Sequence, residues 1–302
     1  MDRTEAVTPL PEPGETAGQE RESPTAGPVI SLQGGTLAYG DHVLWRGLDL
    51  EIQPGEFLAV LGPNGSGKTS LLRVLLGRQQ LTEGSLTVLG HAPRRGGRHI
   101  GYIPQQTSLP AHTMLRARDL VRLGLDGHRW GPPLLRPALR HRVDEILASV
   151  GALRYADVPV GWLSGGERQR VRIAQALATD PRILLCDEPL LSLDLQHQRT
   201  VTTLVERRRR SADTAVVFVT HEINPVLGLV NRILYLAPGG YRIGPTDEVM
   251  TSASLSELYG THVDVIRVGG RIVVVGAPEE VVAHSHADGH SHTDGPDTEA
   301  QP

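Results

Sequence analysis

The spacing of apolar residues changes several times along this chain, and each change marks an element. Leu48, Leu50 and Ile52 alternate with Asp49 and Glu51, the period of a strand with one face in water. Residues 57–61 are uniformly apolar and follow the turn pair Pro54-Gly55, which predicts a short buried strand. Residues 70–76 then carry a helical pattern that stops at Gly77. Residues 85–90 predict a further strand, so the segment from Val29 to about 90 reads as an antiparallel β-region wrapped around the strand at 57–61. From 107 to 160 the period becomes helical. Val143, Ile146, Leu147 and Val150 recur at i, i+3, i+4 and i+7, and Gly151 closes that helix. Gly131-Pro132-Pro133 and Pro137 break the segment into pieces, which predicts an inserted helical subdomain. A helix at about 165–178, an apolar strand at 183–186, a helix near 195–209 and a second apolar strand at 215–219 follow. Strands that alternate with helices in this way predict a parallel sheet. Residues 246–280 read as a small αβ appendage, and no internal repeat is present.

Composition adds the two ends. Residues 1–28 are rich in Pro, Glu, Thr and Gly, and residues 281–302 are polar, so both are expected to be disordered tails. The net charge of −4 is concentrated in those tails, which leaves the middle mildly basic and gives no indication of nucleic-acid binding. The run Arg207-Arg208-Arg209-Arg210 reads as a solvated helix face. The single cysteine, Cys186, excludes an intrachain disulfide, fits a reducing compartment and reads as a small hydrophobe in a strand. No apolar run approaches the roughly 18–20 residues that a spanning helix needs, and the start lacks a secretory apolar segment. The expectation is a protein soluble by itself, whose membrane role would require a partner.

Chemistry enters at the only lysine. Lys68 lies in Gly62-Pro63-Asn64-Gly65-Ser66-Gly67-Lys68-Thr69-Ser70, between a predicted strand and a predicted helix. A Gly-rich turn points backbone N–H groups at a phosphate chain. A compact ammonium then reaches the β/γ-phosphates where a planar guanidinium is too wide, and the next hydroxyl, Thr69, can ligate Mg²⁺. A second motif follows the apolar strand at 183–186, where Asp187 and Glu188 emerge at the end at which open α/β sheets bind ligands. Asp187 can hold Mg²⁺, and Glu188 can polarise a water that attacks the γ-phosphate. A third motif, Ser164-Gly165-Gly166-Glu167, opens a helix and offers a hydroxyl and free N–H groups to another phosphate. Two phosphate sites on one chain make sense if two copies meet head to tail.

The run Leu163-Ser164-Gly165-Gly166 resembles the signature of ATP-binding cassette (ABC) ATPases, and with the other two motifs in order the resemblance covers about residues 29–245. It implies the α/β fold of that family: a P-loop NTPase core with a parallel sheet, an antiparallel β-subdomain and an inserted helical subdomain. It also implies ATP and Mg²⁺ as ligands and further site residues. Tyr39 matches the aromatic that stacks on adenine. Gln105 matches the glutamine that senses the γ-phosphate and Mg²⁺, and Gln106 stands beside it. Asp194, in Ser192-Leu193-Asp194, matches the loop that crosses the dimer interface, and His221 matches the switch histidine. Leu190 stands where the family has a small polar residue, and Cys186 where Leu or Met is usual; neither removes a catalytic group.

The resemblance further implies a stand-alone subunit that homodimerises on the inner face of the membrane beneath permease subunits. The helical insertion would dock to them, and a substrate-binding protein would act indirectly. The pattern is similar to cassettes of zinc and manganese importers, with iron–siderophore or cobalamin-type importers and non-transport ABC regulators as alternatives. His284, His286, His290 and His292 add imidazoles spaced for Zn²⁺ in a polar tail, where merely solubilising residues are the competing reading.

Overall fold

The computed structural model describes residues 27–105, 113–127 and 137–276. Three antiparallel strands come first in space: β1 (Ile30–Tyr39), β2 (His42–Ile52) and β4 (Glu83–Val88), in the order β2-β1-β4. In β2 the predicted alternation holds, with Leu48, Leu50 and Ile52 buried and Asp49 and Glu51 exposed.

The main sheet has six strands in the order β5-β6-β7-β3-β8-β9. These are β3 (Phe57–Leu61), β5 (Ile100–Ile103), β6 (Ile183–Asp187), β7 (Ala215–Val219), β8 (Arg232–Ala237) and β9 (Gly240–Gly244). All pairs are parallel except β8 with the edge strand β9. Strands β3, β6 and β7 are buried at every residue, as their unbroken apolar sequences require of strands covered on both faces. Their alternate side chains feed two cores. Phe57, Ala59, Leu184, Cys186, Val216 and Phe218 face one cluster, which also holds residues of the helical segment. Leu58, Val60, Ile183, Leu185 and Val217 face the other, with Leu71 and Leu72 of α1 (Lys68–Leu75) and the apolar face of the antiparallel sheet.

Helices α2 (Ala117–Asp126) and α3 (Pro137–Ser149) pack with α4 (Gly165–Leu177), while α5 (Leu195–Ala212) lies against β7. Val143, Ile146 and Leu147 form the buried stripe of α3 as the spacing predicts. After β9 come α6 (Thr246–Val249), α7 (Ser252–Tyr259) and a separate hairpin, β10 (Asp264–Val268) with β11 (Arg271–Val275). Among the described residues no helix is long and apolar enough to cross a membrane.

The arginine run is a solvated face only in part: Arg207 and Arg210 are exposed, while Arg208 and Arg209 are half-buried. Arg208 bonds Thr214, Asp180 and the Pro181 carbonyl, and Arg209 bonds the Gly55 carbonyl and Glu206. Arg207 reaches the Ser149 carbonyl. The end of α5 therefore ties together the end of α3 and two loops, because a guanidinium carries enough donors to span several acceptors at once.

Phe218 stacks on Phe57 at 5.5 Å between centroids inside the first core. Phe218→Ala is expected to cost about 3–5 kcal/mol in a denaturant titration, and a loss below about 1 kcal/mol would contradict this packing.

Candidate active site

The loop from β3 to α1 leaves the sheet beside β8. Gly62 sits at φ 138°, where a Cβ would lie 2.0 Å from the Leu236 carbonyl oxygen, so only glycine lets the chain turn this close to its neighbour. Gly67 then caps α1 without a side-chain bond. The first N–H groups of α1 have no intrahelical carbonyls and sit at the positive end of the helix dipole, which suits an anion. Ser66 Oγ is buried without a hydrogen-bond partner among the described residues, an orphan that a phosphate oxygen would satisfy.

Lys68 is buried, and its Nζ donates to the carbonyl oxygens of Gly62 and Pro63, both at 2.8 Å. Loss of solvent lowers its pKa, while the nearby charges of Glu188 and Asp187 oppose that shift.

Asp187 ends β6 and is 2% exposed. Thr69 Oγ1 donates to its Oδ1 at 3.1 Å, and the Tyr102 hydroxyl donates to its Oδ2 at 3.3 Å. Burial raises the pKa of this carboxyl, and the two hydroxyl donors pull it back down. Burial likewise pushes the Tyr102 phenol up to about 12, so it remains a donor. A buried carboxylate beside the Thr69 hydroxyl is an all-oxygen donor set that fits a hard cation such as Mg²⁺, and these two residues would hold it.

Glu188 follows, where the chain turns out of the strand with φ 46°, a conformation that side chains seldom adopt. Its N–H is held by the Val219 carbonyl at 3.1 Å, and its carboxylate accepts from Gln105 Nε2 at 2.9 Å. The Gln105 carbonyl in turn accepts from Arg172 of α4 at 3.5 Å.

The cleft above the loop has a volume of roughly 520 Å³, and its lining brings Tyr39, Lys68, Thr69, Ser70, Gln105 and Glu188 together. Tyr39 is half-exposed and tethered by its hydroxyl to Gln79 at 2.7 Å, which leaves its ring at the cleft edge. His221 does not line this cleft; it faces a neighbouring one that it shares with Gln105, Glu188 and Asn64.

Ser164, Gly165, Gly166, Glu167 and Asp194 are also absent from the cleft lining. Ser164 caps α4 in a capping box: its Oγ accepts from the Glu167 N–H at 3.3 Å, and its own N–H donates to Glu167 Oε2 at 3.1 Å. The Ser164 backbone N–H, and then its hydroxyl, hold the Glu167 carboxyl below its ordinary pKa. Asp194 caps α5 by accepting from the His197 N–H at 2.8 Å. His197 lies directly over Gly166, where a Cβ would fall 2.0 Å from its ring.

Sequence reasoning gave no role to Tyr102, Arg172 or His197. Tyr102 lies in β5, three residues before Gln105, but like Arg172 and His197 it meets its partner only through the fold. Cys186 is wholly buried, and burial pushes its thiol pKa well up, so it packs as a hydrophobe. The four tail histidines and Gln106 lie outside the described residues. Among the described residues no cluster of three or more His, Cys, Asp or Glu could hold a metal.

Residues 45–191 match the ABC transporter family model. The spermidine/putrescine import ATP-binding protein PotA 1 of Pseudomonas aeruginosa is 35% identical over 73% of this chain, which spans 61% of that protein. The zinc import ATP-binding protein ZnuC of Yersinia enterocolitica is 29% identical over 87% of this chain and 92% of its own length. Among solved structures, an inward-facing metal-chelate type ABC transporter superposes with TM-score 0.69 at 28% identity, covering 82% of this chain and 96% of that one. A dimeric post-hydrolysis ATP-binding cassette bound to ADP and Pi superposes with TM-score 0.62 at 30% identity, covering 72% and 98%. The Gly-rich loop around Lys68, the paired carboxylates at the end of β6 and these likenesses together place the chain in the ABC transporter family, among its ATP-binding cassette ATPases.

Proposed function

We propose that this cassette hydrolyses ATP to energise a membrane importer of a divalent metal ion, zinc or manganese. The observation that carries the metal reading is reach: the zinc-import relative matches along 92% of its own length, whereas 61% of the polyamine-import relative is matched. The metal-chelate type transporter superposes over 82% of the chain.

In this reading adenine stacks on Tyr39, and the phosphates lie on the loop N–H groups and Lys68. Mg²⁺ held by Thr69 and Asp187 would offset charge on the β- and γ-phosphates when bound. Glu188 orients and polarises the attacking water, and Gln105 steadies its carboxylate from one side. His221 reaches the γ-phosphate from the neighbouring cleft. Two copies meet head to tail, so that Ser164–Glu167 of each completes the other's site. The exposed Trp162 and Leu195, which flank the Ser164 loop and Asp194, supply apolar surface for that contact. Arg172 joins Gln105 to α4, so a movement at the γ-phosphate is transmitted to the helical segment that docks the permease.

Lys68→Arg preserves charge but not shape, so fluorescent-ATP affinity should fall about tenfold or more; equal affinity would contradict the point-charge role. Glu188→Gln should retain nucleotide affinity, lose about 100-fold or more in kcat and persist as an ATP-bound dimer on size exclusion. Wild-type turnover would remove Glu188 from its role. For the substrate, the cassette with its permease should show ATPase stimulation by a binding protein loaded with Zn²⁺ or Mn²⁺. Stimulation only by a polyamine- or siderophore-loaded protein would overturn the metal assignment.

A further inference from the structure

The hairpin of β10 and β11 stands apart from both larger sheets and lies beyond the region matched by the family model. Its turn is Gly269-Gly270, with φ 57° and 75°, the two positive values that a two-residue type I′ turn requires. That turn makes Val268 and Arg271 a hydrogen-bonded pair, so the next pair, Arg267 and Ile272, is a non-bonded one. The N–H and C=O of Ile272 therefore point away from β10, toward the hairpin's free edge. Such an edge pair is costly to leave unmet where Ile272 is buried.

One side chain meets both groups. Asn224 Nδ2 donates to the Ile272 carbonyl at 2.9 Å, and the Ile272 N–H donates to Asn224 Oδ1 at 2.8 Å. The carboxamide thus acts as one more residue of strand, since it carries a donor and an acceptor side by side. Asn224 stands three residues after His221, and the loop between them is fixed from its other end. The Glu222 N–H donates to Thr220 Oγ1 at 3.2 Å, that hydroxyl donates to the Glu222 carbonyl at 2.9 Å, and Ile223 is buried. The exposed imidazole of His221 is carried on a short segment anchored at Thr220 and at Asn224. The same hairpin, through Ile272, Val273 and Val274, walls the cleft that also holds His221, Gln105 and Glu188.

We propose that Asn224 is a positioning residue for hydrolysis and that the C-terminal hairpin is the strut it braces against, setting where His221 stands relative to Glu188 and Gln105. This rests on the hydrolytic site proposed above. The appendage then contributes to turnover without touching nucleotide. A displacement of a catalytic group by about 1 Å can cost up to about 100-fold, so the tether need move His221 only slightly to matter.

The test uses the full chain with Asn224→Ala, Asn224→Asp, His221→Ala, the Asn224→Ala/His221→Ala double variant, and Glu188→Gln as reference. Asn224→Ala should lower kcat roughly 10- to 100-fold, with fluorescent-ATP affinity unchanged and the Ile272 amide exchanging hydrogen faster. Asn224→Asp, which keeps the acceptor and loses the donor, should fall between it and wild type. It also carries the test if the alanine variant does not fold. Because the effect runs through His221, the double variant should be no slower than His221→Ala alone. The proposal is overturned if Asn224→Ala turns over within about twofold of wild type while Glu188→Gln is inactive, or if it slows the His221→Ala background by the same factor, as a general structural role would. If Glu188→Gln retains wild-type turnover, the hydrolytic assignment falls instead. The tether is then judged on Ile272 exchange, which is faster if Asn224 braces the hairpin and unchanged if it does not.

Discussion

One ammonium ion kept out of water organises this molecule. A lysine as buried as Lys68 is expensive unless its donors and its charge are both answered. Two carbonyls of its own loop answer the donors, and the carboxylates at the end of β6 answer the charge. That solution depends on the strand order. Strand β7 lies between β6 and β3, so the three central strands end in one row. Asp187 and Glu188 leave β6, Thr220 and His221 leave β7, and the Gly62 turn leaves β3. A parallel sheet with both faces covered is what aligns those ends, and the uniformly apolar sequences of the three strands are what cover them. The row of strand ends and the core are thus one construction.

What the sequence made legible follows from range. The Gly-rich loop, the strand-end carboxylates and the helix-opening Ser-Gly-Gly are local patterns, and each folds where its spacing says. The alternation of β2 and the stripe of α3 are likewise local, and both are present. Pairings between distant segments were not legible. Tyr102 reaches Asp187 across 85 residues, Arg172 reaches Gln105 across 67, and Asn224 reaches Ile272 across 48. The arginine run misled for the same reason. Four adjacent arginines look solvated on a helix read by itself, yet Arg209 reaches the Gly55 carbonyl across 154 residues. Strands β8 and β9 were not predicted either: β8 is a buried apolar run that went unread, while β9 at the sheet edge carries a weaker apolar signal.

The helix start at Ser164 suits the head-to-tail pairing proposed above. In the capping box the Ser164 hydroxyl has two occupations: it accepts from the Glu167 N–H, and it donates to the Glu167 carboxylate at 2.9 Å. Only the second can be released without uncapping α4. A phosphate oxygen arriving from another copy would take that one donated proton and would meet Glu167 still ionised, since the Ser164 N–H keeps its pKa down. Arg154, 3.8 Å from Glu167, offsets part of that like charge, but both groups are near the surface and the offset is small. A single loop so constituted would offer a phosphate one hydroxyl beside an ionised carboxylate. In the head-to-tail pair proposed above, two such loops would close at once, and the second contact would be made at the high effective concentration set by the first. In that arrangement the carboxylate at the start of α4 would oppose closure, and the charge-assisted bonds of an arriving phosphate chain would have to outweigh it.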